Sequence, residues 1–248
     1  MVIRTRTRAI LNQLALFLGT AAAIAAKRAS DTIPIVAIAV GDLVTAGLVG
    51  SLAKPGGNLT GLSTLALGLE EKRLEMIKEF QPNSKRVAVL WDPDNPYSAL
   101  ATRQITAAAK QLDLEITLLR VAEPADLDVG FAAMAAERPD ALLVPAYLVL
   151  VEGRARIVRF AAENRTPAIY SQEEFVRAGG LISYGVELGS LYKRAATYVD
   201  KIIKGDAPAD FPVEQPTTFK LVINLAAAKA LGIEVPPTLL ARADEVIE

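Results

Sequence analysis

Short apolar runs rich in β-branched residues alternate along the chain with longer stretches whose apolar positions recur at helical spacing. Ile33 to Val40 (IPIVAIAV) is nearly continuous in its apolarity, the pattern of a strand covered on both faces of a parallel sheet. Gly41-Asp42 closes it, a helix-like stretch runs from Thr45 to Ala53, and Lys54-Pro55-Gly56-Gly57-Asn58 is a turn cluster. Leu59 to Thr64 reads as a short strand or crossover. Glu70 to Phe80 (EEKRLEMIKEF) sets Leu74, Met76 and Ile77 among charges at helical spacing, and Gln81-Pro82-Asn83 ends that helix.

The same cadence continues. Arg86 to Trp91 (RVAVLW) is a buried strand, and Asp92-Pro93-Asp94-Asn95-Pro96 leads into a helix from Tyr97 to Leu112. Strands follow at Glu115 to Val121, Ala141 to Val144 and Pro167 to Tyr170, separated by helices at Leu127 to Glu137 and Glu152 to Glu163. Strand-helix alternation with short connections predicts a parallel sheet with right-handed crossovers and helices on both faces, a doubly wound α/β fold. Toward the end come Leu181 to Tyr184 (LISY), a helix from Gly189 to Lys204, a run at Lys220 to Ile223 and a helix from Ala226 to Leu231. The link Asp206 to Thr218, with prolines at 208, 212 and 216, reads as a crossing between lobes.

The N-terminus supports two readings. Arg4, Arg6 and Arg8 precede an apolar run from Ala9 to Ala26 that ends in small residues, as a secretory signal peptide does. The same run also reads as part of an α/β domain, with Gly19-Thr20 starting a helix. Asn12, Gln13 and Thr20 interrupt the run, so it falls short of the ~20 apolar residues of a membrane span.

Composition narrows the chemistry. The 248 residues are 52% hydrophobic and 22% charged, and 27 basic against 28 acidic side chains leave a net charge of -1, which fits a globular chain without a standing attraction to nucleic acid or anionic lipid. There is no Cys and no His. Disulfides, thiolate nucleophiles, Cys/His zinc sites and His-based general bases are therefore excluded. The phosphate-cradling P-loop, the GxGxxG dinucleotide turn and the GxSxG elbow are absent as well. No cofactor and no metal is expected, and carboxylate pairs such as Glu70-Glu71 and Glu173-Glu174 read as solvated helix or turn faces.

What remains is a series of polar residues at the carboxyl ends of predicted strands, where open α/β sheets bind ligands. Asp42 follows Val40; Asn95 and Ser98 follow Trp91; Ala146 and Tyr147 follow Val144; Ser171 and Gln172 follow Tyr170; Glu187 follows Tyr184. Each of the Asp, Asn and Ser residues also suits a helix cap or a turn on backbone grounds. Their recurrence at one edge points to a site. Ser98 is the sharpest case, because a hydroxyl beside the free N–H groups of a helix N-terminus suits a carboxylate or other anion.

Several strings together, VGDLVTAGLVGSLAKPGGNLTGLST, KRLEMIKEF, RVAVLWDPDNPYSA, EEFVRAGGLISYGVELGSLYKRAATYVDKIIKG, PVEQPTTFKLVINLAAAKALGI and PPTLLARADEVIE, resemble the substrate-binding proteins of ABC importers, specifically the family that includes tryptophan- and tyrosine-type binding proteins. The resemblance implies two doubly wound parallel-sheet lobes of the type 1 periplasmic-binding-protein kind, joined by three crossings. The lobes would close on a small organic, amino-acid-like solute by a hinge motion and deliver it to ABC permease subunits without catalysing a reaction. It also implies a monomer in the periplasm. The crossings map to Gly61-Leu62, Gly179-Gly180 and Asp206 to Pro212, giving residues 1–62 and 180–210 to lobe one and 63–179 and 211–248 to lobe two. In the resembling family the segment GTAAAIAAKRASDTIPIV lies well inside the chain, so lobe one is expected to be incomplete here.

By the same resemblance Ser98 donates to a ligand carboxylate, Ser171 lines the cleft beneath it, and Asp42 and Glu187 face it from lobe one. Asn95, Tyr97 and Tyr147 complete the expected ligand-binding set, with Tyr97 as an aromatic wall or plug. Where amino-acid-binding relatives tend to place an acidic group, this chain has Ala146, which leaves Glu187 as the acidic candidate for an ammonium. The alternatives retained are a sensory or regulatory ligand-binding module, a non-functional fragment of such a protein, and a small Rossmann-like enzyme acting through Asp or Glu.

Overall fold

The computed structural model describes residues 14–66, 68–95 and 97–248. In chain order the first elements are β1 (Ala15–Leu18), α1 (Thr20–Ala29), β2 (Ile35–Val40), β3 (Leu59–Ser63), α2 (Leu69–Phe80), β4 (Arg86–Trp91), α3 (Ser98–Gln111), β5 (Glu115–Arg120), α4 (Asp126–Glu137) and β6 (Ala141–Val144). They continue with α5 (Leu148–Glu152), α6 (Arg154–Glu163), β7 (Ala168–Tyr170), α7 (Glu173–Arg177), β8 (Ile182–Val186), α8 (Leu188–Ile203), a 3-10 turn (Pro208–Asp210), β9 (Phe219–Asn224), α9 (Leu225–Leu231), α10 (Pro237–Leu240) and β10 (Glu245–Ile247). The chain divides into two compact units, Met1–Ala66 with Glu187–Thr218, and Leu67–Val186 with Phe219–Glu248.

In the first unit β1, β2 and β3 form a parallel sheet in that order. The unbroken apolar run of β2 is buried almost throughout, as its sequence requires, and α8 packs on it by presenting Leu191, Ala195, Tyr198 and Ile202 at helical spacing. Ala39 adopts a positive φ of 56° and shifts the β2–β3 register between Ile38 and Val40. That bulge re-aims the end of β2, where Asp42 follows. The described part of the apolar N-terminal run is strand and helix of this sheet: Ala15 to Leu18 pair with β2, Gly19 turns at φ 81°, and Thr20 starts α1. Arg4, Arg6, Arg8, Asn12 and Gln13 lie outside the described residues.

The second unit is built on a seven-stranded sheet in the order β10-β9-β8-β7-β6-β4-β5, parallel except where β8 meets β9. Side chains alternate between its faces. Val87 and Val89 of β4 join Leu74, Ile77 and Phe80 of α2 and Ile105 of α3 in one core, while Ala88 and Leu90 join Leu127, Met134, Ile157 and Phe175 in the other. From β4 the chain steps outward to β5, then crosses back so that β6, β7 and β8 lie on the other side of β4. The carboxyl ends of β4 and β6 therefore flank a topological switch point, where the connections leave in opposite directions and open a crevice.

Some sequence expectations need correction. Thr45 to Ala53 is not a helix; residues 43–47 make successive turns, because Gly47 adopts a φ of 67° and Gly50 follows it. The helix read from Glu152 to Glu163 is α6, which begins at Arg154, and a short helix not read from sequence, α5, precedes it across Gly153, where a Cβ would lie 2.6 Å from a Leu127 methyl. The boundaries between units fall later than the crossings assigned from sequence. Gly61-Leu62 lies inside β3, paired with Ala37 and Ile38. Gly179-Gly180 precedes β8, which pairs with β7 and β9 and so belongs to the seven-stranded sheet rather than to lobe one. Residues 211–218 stay with the first unit, where Val213 is in the core and Glu214 bridges Leu62.

Candidate functional site

The switch point is built from the turn after β4, the segment after β6 and the first turn of α2. After β4, the Asp92 carboxylate accepts from the Asp94 N–H at 2.9 Å, and Asn95 Oδ1 accepts from the Tyr97 N–H at 3.0 Å. These Asx-type turns aim the chain so that Ser98 becomes the first residue of the 14-residue helix α3. Burial pushes the Asp92 carboxyl above the usual carboxylate range, with Asp94 adding repulsion against the opposing backbone hydrogen bonds. Ser98 is 1% exposed, and its Oγ is buried without a hydrogen-bond partner among the described residues. A buried hydroxyl left unpaired is costly unless something else satisfies it.

Tyr147, after β6, is 3% exposed and converges on the same place. Burial pushes its phenol well up; the Ser98 hydroxyl beside it offsets part of the rise, and the negative charges of Glu70 and Asp92 with the neighbouring Tyr97 add to it. The phenol thus stays protonated at neutral pH and remains a hydrogen-bond donor. One strand over, the Ser171 N–H donates to the Val144 carbonyl at 3.0 Å, and Ser171 Oγ is again buried without a partner. A Cβ at Gly185 would overlap the Ser171 carbonyl, so β8 approaches this edge at backbone distance.

Glu70 is the residue that the sequence reading placed wrongly. It is 4% exposed, not solvated, and pairs with the equally buried Arg73 at 2.7 Å. Arg73 Nε donates to the Tyr184 carbonyl at 2.7 Å, while Glu70 Oε2 has no partner among the described residues. The signal was present: residues 70, 73, 74 and 77 fall at i, i+3, i+4 and i+7, which places Glu70 on the buried stripe of α2. Glu71, beside it, is exposed as expected. Ser183 is a second missed position, buried in mid-β8 with an unpartnered hydroxyl.

Of the predicted site residues, the structure brings together Tyr97, Ser98 and Tyr147, with Asn95 in the supporting turn and Ser171 on the adjacent strand end. Asp42 and Glu187 belong to the first unit, and both are occupied locally. Asp42 Oδ1 accepts from the Val44 and Thr45 N–H groups at 3.0 Å each, and its Oδ2 accepts from the Thr45 hydroxyl at 2.6 Å. Glu187 caps α8 by accepting from the Ser190 N–H at 3.0 Å. Ala146 is exposed. Among the described residues, no group of three or more acidic side chains is arranged to hold a metal ion.

Buried polar groups without partners gather at the switch point of this open α/β sheet, the place where such sheets bind ligands, and comparison with known proteins gives the family. The chain belongs to the ABC transporter substrate binding protein family, whose model matches residues 7–247. The tyrosine-binding protein of Clostridioides difficile (strain R20291) is 30% identical over 217 residues, 88% of this chain and 62% of that relative, so the chain spans less than two thirds of the relative's length. Among solved structures, the ABC domain from Streptococcus pneumonia in complex with L-Trp superposes with a TM-score of 0.88 at 28% identity, covering 99% of this chain and 85% of that one. A conserved domain protein from Vibrio cholerae matches equally well, with a TM-score of 0.88, 28% identity and coverage of 98% and 82%. The family and this L-Trp-bound neighbour are binding proteins rather than enzymes. Among the described residues no helix is long and apolar enough to cross a membrane.

Proposed function

We propose that the chain is the solute-binding component of an ABC importer and takes a small amino-acid-like solute by its carboxylate at the N-terminus of α3. The observation that carries this reading is the Ser98 hydroxyl, buried without a hydrogen-bond partner among the described residues at the start of the 14-residue α3 and beside the protonated Tyr147 phenol, whereas the Ser98, Leu100 and Ala101 N–H groups donate to the Asn95 and Tyr97 carbonyls. The two hydroxyl donors match a carboxylate, and the aromatic side chains of Tyr97 and Tyr147 suit a ligand with an apolar body. The tyrosine- and L-Trp-binding relatives support the same ligand class. Ser171 and Asn95 belong to this site, the latter by holding the turn. In the importer role the two units close on the solute, a closed population favoured only by contacts that require the ligand, and the loaded protein docks on permease subunits outside the cytoplasm as a monomer.

A thermal melt of the chain with a panel of amino acids, small carboxylates, sugars and nucleosides tests this directly. An aromatic or related amino acid raises the midpoint in proportion to the logarithm of its concentration, because ligand binds the native state alone. A rise with sugars or nucleosides only, or with nothing in the panel, defeats the reading.

A further inference from the structure

We propose that Glu70 receives the ammonium group of the solute, through the carboxylate oxygen that Arg73 leaves free. This deepens the ligand class proposed above and rests on that reading. The residue is 4% exposed in the first turn of α2, a helix that packs over β6 and β8 at the edge where Tyr147 and Ser171 sit. Oε1 is held by Arg73 at 2.7 Å, and Arg73 is itself anchored to the Tyr184 carbonyl, so the carboxylate is fixed in place. Oε2 is equally buried and accepts nothing. An ionised carboxylate is an acceptor only, so the missing partner is a donor, and in a dry site a cationic donor satisfies it best.

The neighbouring groups fit the same assignment. The charge on Glu70 reaches the Tyr147 phenol, which also stands beside Ser98, so the acceptor and the hydroxyl donors gather around one buried phenol. A solute bearing both an ammonium and a carboxylate satisfies Glu70 Oε2 and Ser98 Oγ at once. Asp92 is the competing acid, but it is only half-buried, with Oδ1 accepting from the Asp94 N–H, so water can satisfy its other oxygen as it cannot satisfy Glu70 Oε2. Glu71 points to solvent. The acidic group missing at Ala146 is thereby supplied from another element.

The test uses calorimetric titration of the full chain with L-tryptophan and L-tyrosine, and with 3-indolepropionate and 3-(4-hydroxyphenyl)propionate, which keep the ring and carboxylate and lack the amine. In Glu70→Gln the amino acids bind about 10- to 100-fold more weakly, the worth of a charge-assisted hydrogen bond, while the amine-free acids bind within about threefold of the parent. Because Glu70→Gln leaves the Arg73 charge buried alone, the double variant Glu70→Gln with Arg73→Gln is measured beside it and shows the same selective loss. Equal losses for both ligand sets, or none, overturn the assignment of Glu70 and leave the carboxylate site standing. Parent protein that binds the amine-free acids as tightly as the amino acids has the same meaning. Parent protein that binds none of the four removes the ligand class and the Glu70 assignment together.

Discussion

Asp42 and Ser98 each follow a strand at the carboxyl end of a parallel sheet, one in each unit, and both are residue types that cap turns and helices. Their outcomes differ. Asp42 spends both oxygens on its own turn, with Val44 and Thr45, and Glu187 is spent on the first turn of α8 in the same unit. Ser98, Ser171 and Glu70 in the second unit are buried with polar atoms unspent. Position at a strand end therefore does not make a binding residue. The distinction lies in whether the local backbone consumes the side chain's hydrogen-bonding capacity, and only the unconsumed groups can exchange water-free strain for ligand contacts.

The largest expected effect concerns the buried pair beneath the crevice. Arg73→Ala removes the charged partner of Glu70 in a dry site and is expected to cost about 3–5 kcal/mol, read as a lower midpoint in urea denaturation, whereas replacing both residues by Leu and Met recovers most of that loss. If the single and double replacements lower the midpoint equally, the pair is not coupled as described. Gly185→Ala comes next, at about 3 kcal/mol, because its Cβ would overlap the Ser171 carbonyl and push two strands apart. Gly61→Ala makes the corresponding overlap with the Ala37 carbonyl in the first unit, and limited proteolysis then shows which sheet opens in each variant. Opening of the same sheet by both would contradict two separately built units.

Smaller and opposite effects are expected at the two residues compared above. Asp42→Ala removes three accepted hydrogen bonds from an exposed turn and costs about 1 kcal/mol of stability, with ligand affinity within threefold of the parent. Ser98→Ala deletes an oxygen with no partner, so the unliganded melt stays within about 0.5 kcal/mol, while amino-acid affinity falls about tenfold. Calorimetry and melting on the same two samples separate these patterns. A stability loss at Ser98 without an affinity loss would make it an ordinary helix-start residue.

How much of this could be read from sequence depends on which interactions are local. The strands Arg86–Trp91 and Ala141–Val144 were legible to the residue because four or five consecutive apolar residues bounded by charge or turn residues have no other good solution. The series of strand-end polar residues was legible too, including Ser98 and Tyr147. That these two meet depends on β6 lying beside β4 rather than beside β5, a long-range pairing that no local pattern encodes. The antiparallel return of β9 against β8 was hidden for the same reason, since its 220–223 run looks the same in either direction. Glu70 was legible by helical period but masked by its residue type, because acidic pairs at helix starts are usually solvated. Ser171 and Glu187 stood in the same strand-end series, and the capping role of Glu187 emerged only from the hydrogen bond to Ser190.

The smallest effects concern the charged networks at the surface of each unit, and they test whether the two respond alike. In the second unit the Lys220 ammonium lies 2.8 Å from Glu173 and 2.9 Å from Glu245, and Arg177 bonds the same two carboxylates at 3.0 and 2.9 Å, tying α7 to β9 and β10. The Lys220 hydrogen bond holds both carboxyls below the ordinary value, as the Arg194 hydrogen bond does for Glu214 in the first unit. Carboxylates with lowered native values are preferentially ionised in the folded state. Their contribution is therefore complete above the ordinary carboxylate value near 4.5 and is lost as pH falls through the lowered values. Lys220→Met is expected to lower stability at pH 7 by under about 1 kcal/mol and to flatten the fall in melting temperature below pH 4.5. Arg194→Met does the same for the first unit through the single carboxylate of Glu214, whereas after Lys220→Met Arg177 still bonds both Glu173 and Glu245. An acid slope left unchanged by Lys220→Met would mean that the four-charge cluster ties β10 down through packing of its aliphatic stems rather than through its charges.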